Sequence, residues 1–461
     1  MQVVDQFGYD VSLSDKSRLE SWNACTMAFL AHSAETPKHM TGALKGEPDF
    51  AMAYATLGLF NMLLGRRELC SVAFKALEKA RQSRLMVGAT ARESAYVDAL
   101  EAWVDGWPSK AAAILEGAAV NAPRDALLIK LIHAIRFVLG QPKQMRASLE
   151  AVLPHYEPTD KAWGYINGCY AFALEETGEY ARAEKIGRDA VSHTPDDAWG
   201  LHAVAHVYDM TGRADHGVRW LDENPSSWAH CNNFGYHVWW HLALMHLDNG
   251  NIDRVLMLYD ERIRKDKTDD YRDISNAASL LVRLEIEGAS VGNRWEELAD
   301  LSEHRVADAC NVFADLHYFL ALCGDDRTRA MDMMMNRMRD SANVASDEPA
   351  VITRDTGLAT AQGLAAYRDG KYFSAFHALN QARPHLIEVG GSHAQRDVFE
   401  RLTIEAALRA GLSTEAKRLL DQRLALRSAP DAFSESRLPL AERMSSASQV
   451  MQDESLRARW G

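Results

Sequence analysis

Nothing in these 461 residues reads as a membrane span, a phosphate-binding loop or a zinc ribbon. The most apolar stretch, from Ala126 to Gly140, is broken by Lys130, His133 and Arg136, and it falls short of the roughly 20 residues that a span needs. The six cysteines (Cys25, Cys70, Cys169, Cys231, Cys310, Cys323) are scattered, with no Cys-x-x-Cys among them. That usage fits free thiols in a reducing compartment. There is no Gly-x-Ser-x-Gly elbow and no Walker pattern, and no block of like charges forms an interaction tail. The N-terminus, MQVVDQFGYDVSLSDKSRLE, lacks the apolar core of a secretory signal, so a cytoplasmic protein without membrane contact is expected. Lys and Arg number 51 against 64 Asp and Glu, a net charge of −13, which argues against nucleic acid as a partner.

What is present is helix after helix. Apolar segments of helical period end at Gly65, Gly140, Gly178, Gly212, Gly250, Gly324, Gly370 and Gly411. Glycine is the expected residue just past a helix end, where the left-handed conformation is needed. From Gly178 to Gly212 the step is 34 residues, and Ala171 to Ala205 and Ala183 to Gly217 travel with the same offset. A 34-residue helix–turn–helix period with small residues at the close approaches is the tetratricopeptide pattern. The steps Gly140–Gly178 and Gly212–Gly250 are 38 residues, so the repeats are degenerate. The expected fold is all-α: a strongly curved α-solenoid of degenerate tetratricopeptide-type hairpins forming one domain over 1–461. Within it, residues 1–155 read as N-terminal repeats, 156–265 as His/Trp-rich central repeats, 266–427 as C-terminal repeats and 428–461 as a helical tail. The methionine run MDMMMNRM has repeat-helix spacing and reads as core packing.

The central repeats carry unusual chemistry. His202/His206 and His237/His241 are two His-x-x-x-His pairs at i,i+4, each on one helical face. First helices of successive hairpins stack in parallel and line the concave side, so the pairs can face each other. Four imidazoles on adjacent helices form a plausible shell for a divalent ion such as Zn or Fe. Asn232, Tyr236 and Trp240 stand where they can orient a ligand. Against a metal, there is no HExxH, and the 34-residue period carries His202 to Tyr236, one residue from His237. One residue is about 100° on a helix.

A second constellation is GGSHAQRD at 390–397. Ser392 and Gln395 read as a capping box, which leaves His393 and Arg396 unexplained. A helix start beside a His and an Arg suits an anion. Should the solenoid curl far enough, His393 and Arg396 come to the central groove. His133 and His317 read as satisfied core histidines, and His32 has no metal spacing.

The blocks HAVAHVYDMTGR, CNNFGYHVWWHLAL and GGSHAQRDVFE together resemble the tetratricopeptide repeat protein 38 family, with a likeness running over most of the chain. The resemblance implies an all-helical protein of degenerate hairpins and transfers no reaction. The residues matching its signature are His202, His206, His230, Asn232, His237, Trp240, His241, His393, Gln395 and Arg396.

Two readings of function stay open at this point. One is a binding protein whose His/Trp/Asn groove holds a small molecule or short peptide, with Asn232, Tyr236, Trp240, His393 and Arg396 as ligand-binding residues. The other is an enzyme acting on a carboxylate- or amide-bearing metabolite, with His202, His206, His237, His241 and His393 as catalytic candidates and the first four as metal ligands. A plain protein-interaction scaffold is the third.

Overall fold

The structure, a computed structural model, describes residues 3–13, 15–46 and 49–460, with side chains to residue 446. Helical hairpins follow one another from Lys16–Leu30 to Ser413–Leu426, and a last helix, Ala432–Trp460, closes the chain. The array is an all-α solenoid. The first helices of the central hairpins are buried around almost their whole circumference: Trp163–Glu175, Ala198–Met210, Tyr271–Ile286 and Val312–Gly324. Their partners, such as Tyr180–His193, bury one stripe and expose the rest, the pattern of a helix on the outer wall. Met331, Met334, Met335 and Met338 lie in the core of that outer layer.

The helix-closing glycines behave as their sequence context requires, Gly212 with φ +64° among them. Gly324 does not. It ends the Val312–Gly324 helix against the Trp295 ring, where an added Cβ would lie 2.2 Å from Cδ2. The left-handed residue there is Asp326, at φ +54°. Close packing, not turn geometry, explains that glycine. One further feature departs from the helical pattern. Val3–Val4 and Asp10–Val11 form a short antiparallel pair, set by Asp5, whose carboxylate accepts from the Phe7 and Tyr9 amides.

The superhelix is wound tightly enough for its second turn to stack on its first. Arg67 reaches the Ala307 carbonyl (3.0 Å) and Arg305 reaches Glu68 (2.9 Å). The Cys70 and Cys310 thiols lie 3.6 Å apart. Further along, the Ser109 amide donates to Glu348, the His393 amide to Glu176 and Arg427 to Asp209. The two partners are 217 to 240 residues apart in every case. Gly140 and Gly390 sit at the tightest crossing, where added Cβ atoms would lie 1.7 Å from the Ile387 carbonyl and 2.1 Å from that of Val138. The concave side is therefore an enclosed interior, not the open groove of the sequence reading. Among the described residues, no helix is long and apolar enough to cross a membrane.

Charge holds the second turn near its end. Asp397 faces Arg401 (2.7 Å), Arg423 and Arg283, and Asp431 faces Arg423, Arg401, Arg427 and Ser434. Burial works to raise both carboxyls, yet the guanidiniums outweigh it and hold both below the ordinary range. With folded values below the unfolded value of about 4, the unfolded chain takes up protons first as pH drops. The stabilisation is complete above about pH 4 and is lost as pH falls through the depressed folded values. An Asp397→Asn/Asp431→Asn chain is expected to melt lower than the parent near pH 6 and to lose less stability toward pH 3. Thermal melts across that range check this, and parallel curves would contradict it.

Candidate functional site

Four imidazoles meet where the Ala198–Met210 and Phe234–Asp248 helices cross. His202 Nε2 lies 2.9 Å from His206 Nε2 and 2.9 Å from His237 Nε2, and His237 Nε2 lies 3.2 Å from that of His241. All four nitrogens fall within 4.8 Å of one another. The one-residue offset in the repeat does not separate them. Counted back from the closing glycines, His202 stands ten residues before Gly212 and His237 thirteen before Gly250. Three residues fall only about 60° short of a full turn, so both pairs point to the shared interface. The outer helix shortens from 14 residues in Tyr180–His193 to 10 in Ala214–Glu223, the connection containing Pro225–Ser227 is longer than its counterpart, and the first helix lengthens from 13 to 15 residues.

Hydrogen bonding alone does not satisfy this quartet. A neutral imidazole has one N–H and one lone pair, whereas His202 Nε2 and His237 Nε2 each have two nitrogen neighbours. At most two of the three close contacts can be N–H···N bonds. Of the outer nitrogens, His237 Nδ1–H donates to Asn276 Oδ1 (3.1 Å), which leaves its Nε2 lone pair turned inward. His206 Nδ1 lies 3.6 Å from the buried Glu175 carboxyl and, like Nδ1 of His202 and His241, makes no hydrogen bond. Burial, first of all, lowers the four imidazoles, His206 to about 3 and His237 to about 4, with His202 and His241 well below the ordinary value. All four are neutral at pH 7, the form that ligates a cation.

The surroundings are aromatic and nearly dry. Phe172 stacks on His202 (5.5 Å between centroids) and Trp240, itself fully buried, on His237 (5.3 Å). Glu175 accepts no hydrogen bond, and burial together with its neighbour Glu176 pushes its carboxyl well above the usual range. Glu176 is fully engaged. It takes the His393 amide (2.7 Å) and Arg396 Nη2 (3.2 Å), while His393 Nε2 meets its backbone carbonyl (3.1 Å).

His393 and Arg396 thus reach the central repeats, but they serve Glu176 and do not offer an edge to an outside anion. Arg396 also donates to the Gly390 and Gly391 carbonyls. Tyr236 points away from the quartet, bonding to Asp266 at the surface. Asn232 lies at the rim of a cavity of about 530 Å³ whose wall includes the His237 ring. His32, in the left-handed region at φ +56°, stacks against Phe234 (4.4 Å) and Trp199 (5.3 Å) on the same wall. It is held there by backbone bonds from Asn232 to His32 and from Ala34 to His230. His133 lines the cavity with neither ring nitrogen hydrogen-bonded, whereas His317 does donate to the Phe313 carbonyl (2.7 Å). Glu175, Glu176, Asn276 and Arg272 escaped the sequence reading, and His32 and His133, read there as without metal spacing and as a satisfied core residue, line the cavity. The adjacent acids of CYAFALEETG, closing an otherwise apolar helix, were the one legible signal.

No protein-family model matches the chain. Among solved structures it is similar to the Cut9–Hcn1 hetero-tetramer of the APC/C, with 14% identity over 93% of this chain and 75% of that one and a TM-score of 0.45. It is also similar to a human IFIT1 dimer with PPP-AAAA, at 13% identity over 93% and 95% and a TM-score of 0.42. Yeast Tom70 is similar at 13% identity over 95% and 90%, with a TM-score of 0.37. The exclusion of nucleic acid drawn from net charge is corrected by the IFIT1 structure, which carries PPP-AAAA. The physical reason is that a total of −13 is a sum over the whole molecule and says nothing of an interior wall that includes Lys130 and Arg272.

The Glu176 contacts carry their own prediction. Glu176→Leu or Arg396→Leu alone strands a buried charge and is expected to cost about 3 kcal/mol, while the double variant recovers part of the loss. Urea unfolding of the four chains reads the coupling, and strictly additive losses would show there is none.

Proposed function

We propose that this chain is a metal-binding helical-repeat protein, with a divalent transition metal on the Nε2 atoms of His202, His206, His237 and His241 beside a pocket for a small molecule. The carrying observation is the convergence of four neutral imidazole nitrogens at 2.9–3.2 Å, a packing that hydrogen bonds cannot satisfy. Tetrahedral ligands at about 2.05 Å lie about 3.4 Å apart, and neighbouring ligands of a six-coordinate ion at about 2.1 Å lie about 3.0 Å apart. The three close spacings, 2.9, 2.9 and 3.2 Å, lie at the lower, six-coordinate end of this range. Imidazole ligands suit Zn, Fe, Cu or Ni.

The outer groups support the same reading. Asn276 and Glu175 face the Nδ1 atoms of His237 and His206, as partners that fix the tautomer and ring orientation of metal-bound histidines do. The Glu175 carboxyl, pushed up by burial and without a hydrogen-bond partner, supplies a counter-charge once a cation bound beside it displaces its proton. A bound divalent ion supplies Lewis-acid charge at the cavity wall. His237 belongs to both the quartet and the cavity, an observation that also favours the enzymatic reading, in which a bound carboxylate or amide lies beside the ion. We also place the chain in the tetratricopeptide repeat protein 38 family, because the matching signature residues include the whole quartet and the His393–Arg396 contacts behind it.

Elemental analysis of protein purified without a His tag tests the metal. About one ion per chain is expected, falling to background in His202→Ala/His237→Ala. Less than about a tenth of an ion per chain, or the same content in the double variant, would overturn the proposal.

A further inference from the structure

We infer that the cavity beside the quartet binds a monocarboxylate with a flat apolar body, its carboxylate held by Arg272 next to His237. This rests on the reading of the cavity as the ligand pocket of the proposed metalloprotein, and it adds the ligand's chemistry and orientation.

The charge comes first. Arg272 opens the Tyr271–Ile286 helix and lines the cavity, with its side chain 41% exposed there. Asp270 accepts from Nε (2.8 Å) and Nη2 (2.5 Å), and Nη1 makes no hydrogen bond among the described residues. Arg272, His32 and His237 line the same cavity, so an anion on Arg272 shares it with both rings. A planar guanidinium pairs with a planar carboxylate. One guanidinium already shared with Asp270 suits a single negative charge better than a phosphate dianion. The amides of Asn232 and Asn311 also line the cavity and supply neutral donors, while Asn233 Nδ2 donates to Asp273 Oδ2 (2.7 Å), a carboxyl on the same lining that Thr268 and Asn233 hold.

The body of the ligand is read from the apolar part of the lining. Phe29 and Phe60 stack on each other at 4.2 Å, and with Leu63, Phe137 and Phe234 they leave apolar surface partly uncovered toward the cavity. Flat rings favour flat partners. The volume of about 530 Å³ lies within the range of small-molecule sites. Exposed Ala34, Pro37 and Asn232 mark the entrance, on the side where the turn after the Lys16–Leu30 helix meets the loop before Phe234.

Calorimetric titration of the full chain with phenylacetate and with its neutral analogue phenylacetamide tests this, with metal content measured on every sample. Phenylacetate is expected to bind about tenfold or more tighter than the amide. Arg272→Gln should erase that preference without changing metal content, and Arg272→Lys should keep part of it. Leu63→Trp, which fills the apolar end, should abolish binding of both probes. Equal affinity for acid and amide, no binding of either, or a preference that survives Arg272→Gln would overturn the inference. Should Arg272→Gln fail to fold, Arg272→Lys and Leu63→Trp decide the same question. Metal at background already in the parent chain, with the carboxylate preference intact, would sink the metal reading alone and leave the Arg272 anchor standing.

Discussion

The contact between Glu176 and the His393–Arg396 segment is where the two turns of the superhelix are locked together over the site. An ion pair this deeply buried holds only when its remaining polar atoms are met. Here the carboxylate takes a backbone amide and a guanidinium, and the guanidinium is shared with two carbonyls. The glycines that permit the turn, Gly390 and Gly391, allow no Cβ, since Val138 and Phe313 fill the space. Once that crossing is made, the concave face of the solenoid is roofed, and polar groups facing inward are cut off from water.

That enclosure explains the electrostatics of the centre. Imidazoles on an open groove would titrate near 6.5 and find water. Inside the ring they are held neutral by burial, close together, with lone pairs turned on one another. Glu175, one residue from a fully paired carboxylate, makes no hydrogen bond among the described residues. A buried region holding unpartnered imidazole nitrogens and an unpartnered carboxyl has polar groups left unmet. The proposed ion resolves both deficits at once.

Much of this was legible in the residues, and the illegible part has physical reasons. The i,i+4 spacing of His202/His206 and His237/His241 fixes their faces on any helix, and the glycine-ended hairpins fix the stacking of those helices. The repeat period misled at His237, because the extra residues of that unit are spread over the connection and the helix itself, and the register counts from the helix end. The capping box at Ser392 was readable from local chemistry, but the partner of Arg396 lies 220 residues away. That separation is set by the pitch of the superhelix, which no local pattern encodes. His32 and Arg272 went unassigned to the cavity for the same reason. Each lies at a helix end, in an unremarkable sequence, and acquires a role only when the N-terminal hairpin folds back on the loop before Phe234.

The most direct test of the four-histidine centre is X-ray absorption at the edge of the metal bound to the full chain. The account predicts a first shell dominated by nitrogen at about 2.0–2.1 Å with the outer-shell scattering of about four imidazoles. A shell dominated by oxygen or sulfur, or one with no imidazole scattering, would contradict it.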